Sequence, residues 1–279
     1  MSKLFLAFAQ LICAATLLAQ HQNLPLNRVL ANEYDKYLYD KQARFHTSIK
    51  PYRLKEVETK IKYDSIFHWL ERKDKSKFLG KVWNFLAYDD MVRIRKNDFY
   101  LYIDPVINFE FGYDTDGNRR TFTNTRGIAI GGDIGKDFSF YTTFRENQSK
   151  HVAYQHFFID TNRVVPGQGR TRNFKESSFD YANATGYISY TPSKFVNFQL
   201  GHDRHFFGDG YRSLLYSDNT YFYPFFKITT SVWKIKYVNL WTQYQTVKPR
   251  PDFTIGFERK YGSFHYLSFD VNEWFQFGL

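Results

Sequence analysis

A long run of two-residue alternation constrains this chain more than any other feature. From Phe99 to Phe111 the odd positions are apolar or proline, and every even position except Val106 is polar or tyrosine. Successive side chains of a strand point to opposite faces, so the pattern predicts a strand with one apolar face. The run exceeds the roughly 5–6 residues typical of soluble strands and suits a tilted membrane strand, which needs about 9–11. Pro105 removes a ladder donor and indicates a bulge or an edge.

Shorter alternating runs follow at Phe138–Arg145, Val196–Leu200 and Trp233–Trp241. Residues that favour turns separate the runs, at 114–118, 131–135 and 191–194. In the last run Lys234 and Lys236 share the second face, which we expect to line a wet lumen because lysine facing lipid is costly. Counting the runs predicts about ten strands from Phe99 onward.

The composition combines high aromatic content with low hydropathy. Aromatic residues make up 20% of the chain, yet its mean hydropathy is −0.52. A transmembrane β-barrel reconciles the two, since its strands alternate lipid-facing and lumen-facing residues and aromatic girdles mark both interfaces. We therefore predict an all-β protein, with an antiparallel transmembrane β-barrel over residues 98–279. A soluble β-sandwich or sugar-binding domain remains the alternative.

The first 19 residues have the pattern of a secretory signal peptide. Lys3 is their single charged residue, Leu4–Leu18 is almost wholly apolar, and a small residue follows at Ala19. An uncleaved anchor is the alternative. Cys13 lies within this run and is the only cysteine, so the mature chain has no disulfide. These features favour the envelope of a Gram-negative bacterium and predict localisation in the outer membrane.

Residues 20–97 have a different pattern. Leu30, Tyr34, Leu38 and Phe45 recur at near-helical spacing, as do Phe67, Leu70, Phe78 and Val82. We predict a partly helical periplasmic segment. Two roles stay open for it, a plug or brace at the barrel mouth and a flexible leader.

The chain is basic, with a formal net charge of +10. A basic envelope protein suits lipopolysaccharide phosphates or an acidic polysaccharide as partner. Nucleic acid is the other common partner of basic chains, and the signal peptide argues against it. The sequence gives no indication of a cofactor or a metal.

The segment Leu200–Lys227 combines turn residues, polar groups and aromatic residues. Gly208-Asp209-Gly210 predicts a tight turn. Aromatic faces stack on sugars, planar polar groups bind hydroxyls, and Arg212 suits bidentate capture of a carboxylate. The candidate polysaccharide-binding residues are Asp203, Arg204, Asp209, Tyr211, Arg212, Asp218 and Asn219.

Three other interpretations of this segment remain. His202 and His205 have metal-ligand spacing but lack a third ligand. Asp203, Asp209 and Asp218 are candidates for the paired carboxylates of a glycosidase. Alternatively, Arg212 forms an ion pair with Asp203 or Asp209 that only holds the loop folded.

Several short stretches of the sequence resemble those of a known protein family. They are Phe207–Leu215 (FGDGYRSLL), Ser217–Asn219, Tyr223–Ile228 (YPFFKI), Trp233–Leu240 and, less distinctively, Phe45–Tyr52 (FHTSIKPY). They resemble the outer-membrane capsule-assembly family Wzi, particularly its Bacteroidetes branch, which includes the gliding-motility protein RemB. The resemblance is firm over residues 201–240 and faint elsewhere.

The resemblance implies a barrel without catalytic activity that attaches or organises capsular polysaccharide, or supports surface gliding with other envelope proteins. Family barrels have more strands and longer chains, so we expect a partial barrel truncated at Leu279, whose open edges a membrane does not tolerate. The alternatives are a channel in which Lys234 and Lys236 select anions, and a secreted glycan-active enzyme.

Overall fold

The computed structural model describes residues 22–40, 43–61, 77–87, 89–247 and 257–279. The predicted signal peptide lies outside these residues, as do Phe67 and Leu70 of the predicted helical pattern. Within the described ranges, none of the helices is long and apolar enough to cross a membrane.

The chain is mostly antiparallel β-sheet. The N-terminal segment contains helices α1 (Arg28–Leu38), α2 (Leu54–Glu58) and α3 (Phe78–Ala87) and strands β1 (Ile49–Lys50) and β2 (Val92–Lys96). The remainder consists of β3 (Phe99–Asp114), β4 (Arg119–Ile134), β5 (Phe138–Lys150), α4 (Ala153–Asn162), β6 (Val164–Val165), β7 (Gly169–Phe174), β8 (Ser178–Ser193), β9 (Val196–Asp203), β10 (Phe206–Phe207), β11 (Tyr223–Val232), β12 (Ile235–Gln245), β13 (Arg259–Asn272) and β14 (Phe275–Gly278). The prediction that β3 is longer than a typical soluble strand is confirmed, since it has 16 residues.

The main sheet has the strand order β14-β13-β12-β11-β9-β8-β5-β4-β3-β2, and β7 adds to β8. Its edge strands β2 and β14 do not pair with each other in the described part of the chain, so the sheet is not closed into a barrel. The sheet begins at Val92, within the segment predicted to precede it. Strand β2 pairs with β3 only as far as Ile103, so Pro105 lies on an open edge, in unbroken register with Ile128 of β4.

One predicted turn is wrong in its position. Gly131 and Gly132 lie inside β4, and the turn follows at 135–137. The reason is packing, because a Cβ at Gly131 would lie only 2.5 Å from Oη of Tyr102 on the neighbouring strand. Gly135 alone of these glycines has the positive φ, +66°, of a turn residue.

The connections differ between the two ends of the sheet. Short turns join β4 to β5, β8 to β9, β11 to β12 and β13 to β14 at one end, the short-turn end. The opposite, long-loop end carries the insertion 151–177 between β5 and β8 and the segment 204–222 between β9 and β11. The polar segment found in the sequence therefore lies at the long-loop end.

The outward face of the sheet carries an apolar row. Strand register places seven outward residues in one cross-strand row: Leu101, Gly132, Phe140, Ile188, Leu200, Phe226 and Trp241. Leu200 in this row is 54% exposed. Ile188, Phe226 and Trp241 of this row are exposed as well, whereas most such residues of a soluble protein face a core.

The inward face is covered, and it carries a polar row beside a hydrophobic cluster. The adjacent row contains five polar residues, all buried: Asp133, Ser139, Ser189, Gln199 and Lys227. Lys236, predicted to face a lumen, is also buried on this face, whereas Lys234 lies in the turn before β12 and its Nζ donates to the Val271 carbonyl at 3.2 Å.

The N-terminal segment contacts the inward face. Asn23 and Gln199 form a reciprocal amide pair, with donor–acceptor distances of 3.3 and 3.0 Å. Nδ1 of His46 lies 2.8 Å from Oγ of Ser268. The segment has its own small core, made of Leu24, Tyr34, Leu38, Phe45, Tyr52 and Val57. The helical spacing predicted for Leu30, Tyr34 and Leu38 is confirmed by α1, and Phe45 joins the same core from beyond the helix.

Candidate functional site

A two-strand pairing positions the polar segment. Phe206 and Phe207 of β10 pair with Lys50 and Ile49 of β1. Phe207 is buried in the largest hydrophobic cluster of the inward face. Gly208 follows with a φ of +136°, a conformation that residues with a Cβ rarely adopt. The loop that begins there is therefore turned back onto the N-terminal segment.

A cavity of about 210 Å³ lies between this loop and helix α1, and we refer to it as the α1 cavity. Its charged lining comes from Arg28, Asp35, Lys50, Asp209 and Asp218, and its aromatic lining from Tyr34, Tyr52, Phe206 and Tyr211. Two cations and three carboxylates with aromatic faces favour a polar, hydroxyl-rich ligand over a strongly anionic one.

Arg28 holds the two walls of the α1 cavity together. Its Nη2 lies 2.9 Å from Oδ1 of Asp218, and its guanidinium lies 4.3 Å from the ring centroid of Tyr211. Its Nη1 also donates to the carbonyl of Tyr211. A charge-assisted hydrogen bond and a cation–π contact thus fix the loop against α1.

Lys50 and Asp35, two other charged groups of the α1 cavity, have shifted pKa values. Burial lowers the pKa of Lys50, and the nearby Asp35 and Asp209 offset part of that effect. Burial likewise raises the pKa of Asp35, and the positive charge of Lys50 offsets part of that rise. Tyr39 donates from Oη to Oδ1 of Asp209 at 2.9 Å. Each carboxylate is therefore held by a named donor or cation.

Asp209, Tyr211 and Asp218 of the predicted site line the α1 cavity. Asp203 and Arg204 do not. Nη1 of Arg204 donates to the carbonyls of Gly167 and Asp218, both at 3.3 Å, and its guanidinium lies over the Phe222 ring. Oδ1 of Asp203 accepts the backbone N–H of Arg204 at 2.8 Å. Arg204 thus links two loops at the long-loop end, and Asp203 holds the backbone of Arg204.

Arg212 and Asn219 are exposed on the outside of the loop. Arg212 makes no hydrogen bond or ion pair with the residues that the structure describes, so the expected pair with Asp203 or Asp209 does not form. The ion pair that holds the loop joins Arg28 to Asp218 instead. Sequence reasoning chose the wrong partners because Arg28 is 190 residues away from Asp218.

The two histidines have separate environments. Nδ1 of the exposed His202 lies 2.8 Å from the carbonyl of Ala184. His205 is buried against Phe225, with ring centroids 4.4 Å apart, and burial lowers its pKa well below its usual value. Across the described ranges no group of three or more His, Cys, Asp or Glu residues is placed to hold a metal ion.

Sequence reasoning missed the N-terminal half of the α1 cavity. Arg28, Asp35 and Lys50 were not candidates, and Tyr34 was marked only as part of a helical pattern. The string Phe45–Tyr52 was the one available indication, since it contains Lys50 and ends at Tyr52.

Comparisons of the chain with protein-family models, with curated proteins and with solved structures found no match. Function is therefore inferred from the residues and their geometry.

Proposed function

We propose that this chain is a non-enzymatic outer-membrane β-barrel protein that binds surface or capsular polysaccharide, for its assembly at the cell surface or for gliding. The exposed apolar row on the outward face is the observation that carries this proposal. Each square ångström of apolar surface left in water costs roughly 25 cal/mol, whereas lipid accepts the same surface without that cost.

The sheet would then form part of a closed barrel wall. Open strand edges leave backbone N–H and C=O groups unpaired, and each costs several kcal/mol in hydrocarbon. Barrels of this class have short periplasmic turns and longer extracellular loops. This orientation puts the short-turn end in the periplasm and the polar segment 204–222 on the cell surface. The N-terminal segment, expected to be periplasmic, would then lie against the inward face inside the barrel, with α1 packed on the surface loop.

The glycan assignment rests on the α1 cavity. Tyr211 offers an exposed aromatic face beside the Arg28–Asp218 pair, and Arg212 extends from the same loop. Three of the family-like strings, Phe207–Leu215, Ser217–Asn219 and Phe45–Tyr52, fall on the same loop and on the β1–β10 pairing that positions it. Both lines support the function that the resemblance to the Wzi family implies.

Cell fractionation and polysaccharide retention test the proposal together. We expect the protein in the outer membrane, with heat-modifiable migration in detergent gels. A strain carrying Arg28→Met should assemble the barrel normally but retain less surface polysaccharide than wild type. Arg44→Met is the matched control, since Arg44 pairs with the exposed Glu273 outside the α1 cavity. A soluble periplasmic product, or unchanged retention in a normally assembled Arg28→Met strain, contradicts the proposal.

A further inference from the structure

We infer that a second cavity, on the inward face beneath the insertion between β5 and β8, binds a neutral sugar unit of a glycan. We name it the rim cavity; its volume is about 460 Å³, within the roughly 300–1,000 Å³ of small-molecule sites. The inference deepens the proposed function, on which its choice of a glycan rests, by adding a contact separate from the α1 cavity.

Strand register builds the floor of the rim cavity. Thr125 of β4 lies opposite Asn147 of β5, which lies opposite Tyr181 of β8. The adjacent row places Arg145 opposite Asn183. Oγ1 of Thr125 donates to Oδ1 of Asn147 at 2.8 Å, and Nδ2 of Asn147 donates to the Tyr181 carbonyl at 3.3 Å. The floor is a preformed polar platform on adjacent strands.

The insertion forms the roof. Gln155 of α4 and Gln168 of the turn between β6 and β7 line the rim cavity from above. Oε1 of Gln168 accepts Nδ2 of Asn183 at 2.8 Å, which ties roof to floor. Asp114 anchors the start of α4, because its Oδ2 accepts the backbone N–H of Ala153 at 2.8 Å. Both walls are thus held before a ligand arrives.

Two buried polar atoms of this cavity point to the ligand chemistry. Asn183 is only 7% exposed, and its Oδ1 has no hydrogen-bond partner. Nε of Arg145, directly opposite in the sheet, also has none. Buried polar atoms are normally satisfied, so an unpaired acceptor and an unpaired donor on two facing residues are unusual. A hydroxyl group both donates and accepts, so a ligand rich in hydroxyls suits both atoms.

The charge of the rim cavity selects against anions. Arg145 and Glu110 are the one cation and the one carboxylate among its described lining residues, and they cancel. Burial lowers the pKa of His151, so that ring is neutral at physiological pH. The other polar lining groups are amides, threonine hydroxyls and Tyr181. A uronate or phosphate gains no net attraction there, whereas neutral hydroxyls match the amides.

The test uses the purified full chain in detergent on a printed array of neutral and acidic oligosaccharides. Wild type should bind neutral members. Asn183→Leu removes the unpaired acceptor and should weaken that binding at least tenfold, and Arg145→Met should do the same by removing the opposing donor. Gln148→Leu, on the outward face beside Asn147, should bind like wild type. Circular dichroism confirms that each variant is folded, and Arg145→Met decides the matter if Asn183→Leu does not fold.

The inference is overturned if folded Asn183→Leu or Arg145→Met binds neutral glycans as wild type does. It is also overturned if wild type binds only acidic glycans, or binds none. The proposed function fails separately. A soluble periplasmic product whose array binding still depends on Asn183 leaves this inference standing. If Arg28→Met loses polysaccharide retention but Asn183→Leu does not change array binding, the proposed function stands and this inference fails.

Discussion

Nζ of Lys236 on β12 lies 2.8 Å from Oε2 of Glu56 on α2, although 180 residues separate them in sequence. Arg53 contacts the same carboxylate from its own side of the N-terminal segment. One carboxylate thus serves two cations at the junction between the inward face and the segment that covers it. The N-terminal segment thus supplies the carboxylate that matches the buried charge of Lys236.

Replacing Glu56 with glutamine should lower the free energy of unfolding by about 3 kcal/mol, because it leaves a buried lysine without its carboxylate. The Lys236 side chain is only 7% exposed. Denaturant unfolding in detergent, followed by intrinsic fluorescence, measures the loss. Glu33→Gln is the control, since its pair with Lys36 is largely exposed and should be worth less than about 1 kcal/mol. An equal loss of unfolding free energy in the two variants would contradict the conclusion that Glu56 pairs with a buried lysine.

The same pair predicts a pH dependence. Burial acts to raise the pKa of Glu56, but Arg53 and Lys236 outweigh it and hold that pKa well below the ordinary value of 4.5. A carboxylate with a lowered folded-state pKa stabilises the fold above its unfolded pKa, and the stabilisation is lost as pH falls toward the folded value. The stability difference between wild type and Glu56→Gln should therefore be full at neutral pH and smaller at about pH 3. A gap that widens in acid would refute this assignment.

Local periodicity explains which parts of the fold were predictable. The alternation around Phe99–Phe111 is set by the geometry of a single strand, so the sequence alone reveals β3 and its outward face. The α1 cavity depends instead on how residues 22–61 fold against the sheet. Neither Arg28 nor Asp218 carries a local pattern that identifies the other as its partner. Gly131 shows the same limit, since its place inside β4 depends on a tyrosine of the neighbouring strand.

Arg28→Met should loosen the loop at Gly208–Asp218, because it removes the ion pair to Asp218 and the contact with Tyr211. Arg212 lies exposed on that loop and supplies a trypsin site. We expect cleavage after Arg212 to accelerate about fivefold, in line with the modest worth of one partly exposed ion pair and one cation–π contact. Limited trypsinolysis with mass spectrometry measures the rate. Arg44→Met should cleave at the wild-type rate, and equal acceleration in both variants would indicate a general loosening instead.

Leu200→Lys should impair folding into lipid vesicles, because Leu200 lies in the apolar outward row. Lysine on the lipid face costs roughly 2–4 kcal/mol at the bilayer midplane and about 0–1 kcal/mol near an interface. His202→Lys is the matched control on the same strand and face, two positions closer to the long-loop end. The fraction of protein in the heat-modifiable folded band measures the effect. Equal folding of the two variants would mean that Leu200 does not face hydrocarbon.

Quenching of Trp241 by lipid tests the central claim most directly. Trp241 stacks on Phe226 in the outward row, with ring centroids 5.5 Å apart. A variant that retains Trp241 as its single tryptophan is folded into vesicles whose acyl chains carry bromine. A second variant with Tyr211→Trp as its single tryptophan reports the exposed loop. We predict that the brominated chains quench Trp241 strongly and aqueous iodide quenches it weakly, with the reverse for Tyr211→Trp. Iodide quenching of Trp241 without quenching by brominated lipid would contradict the assignment of this face to the membrane.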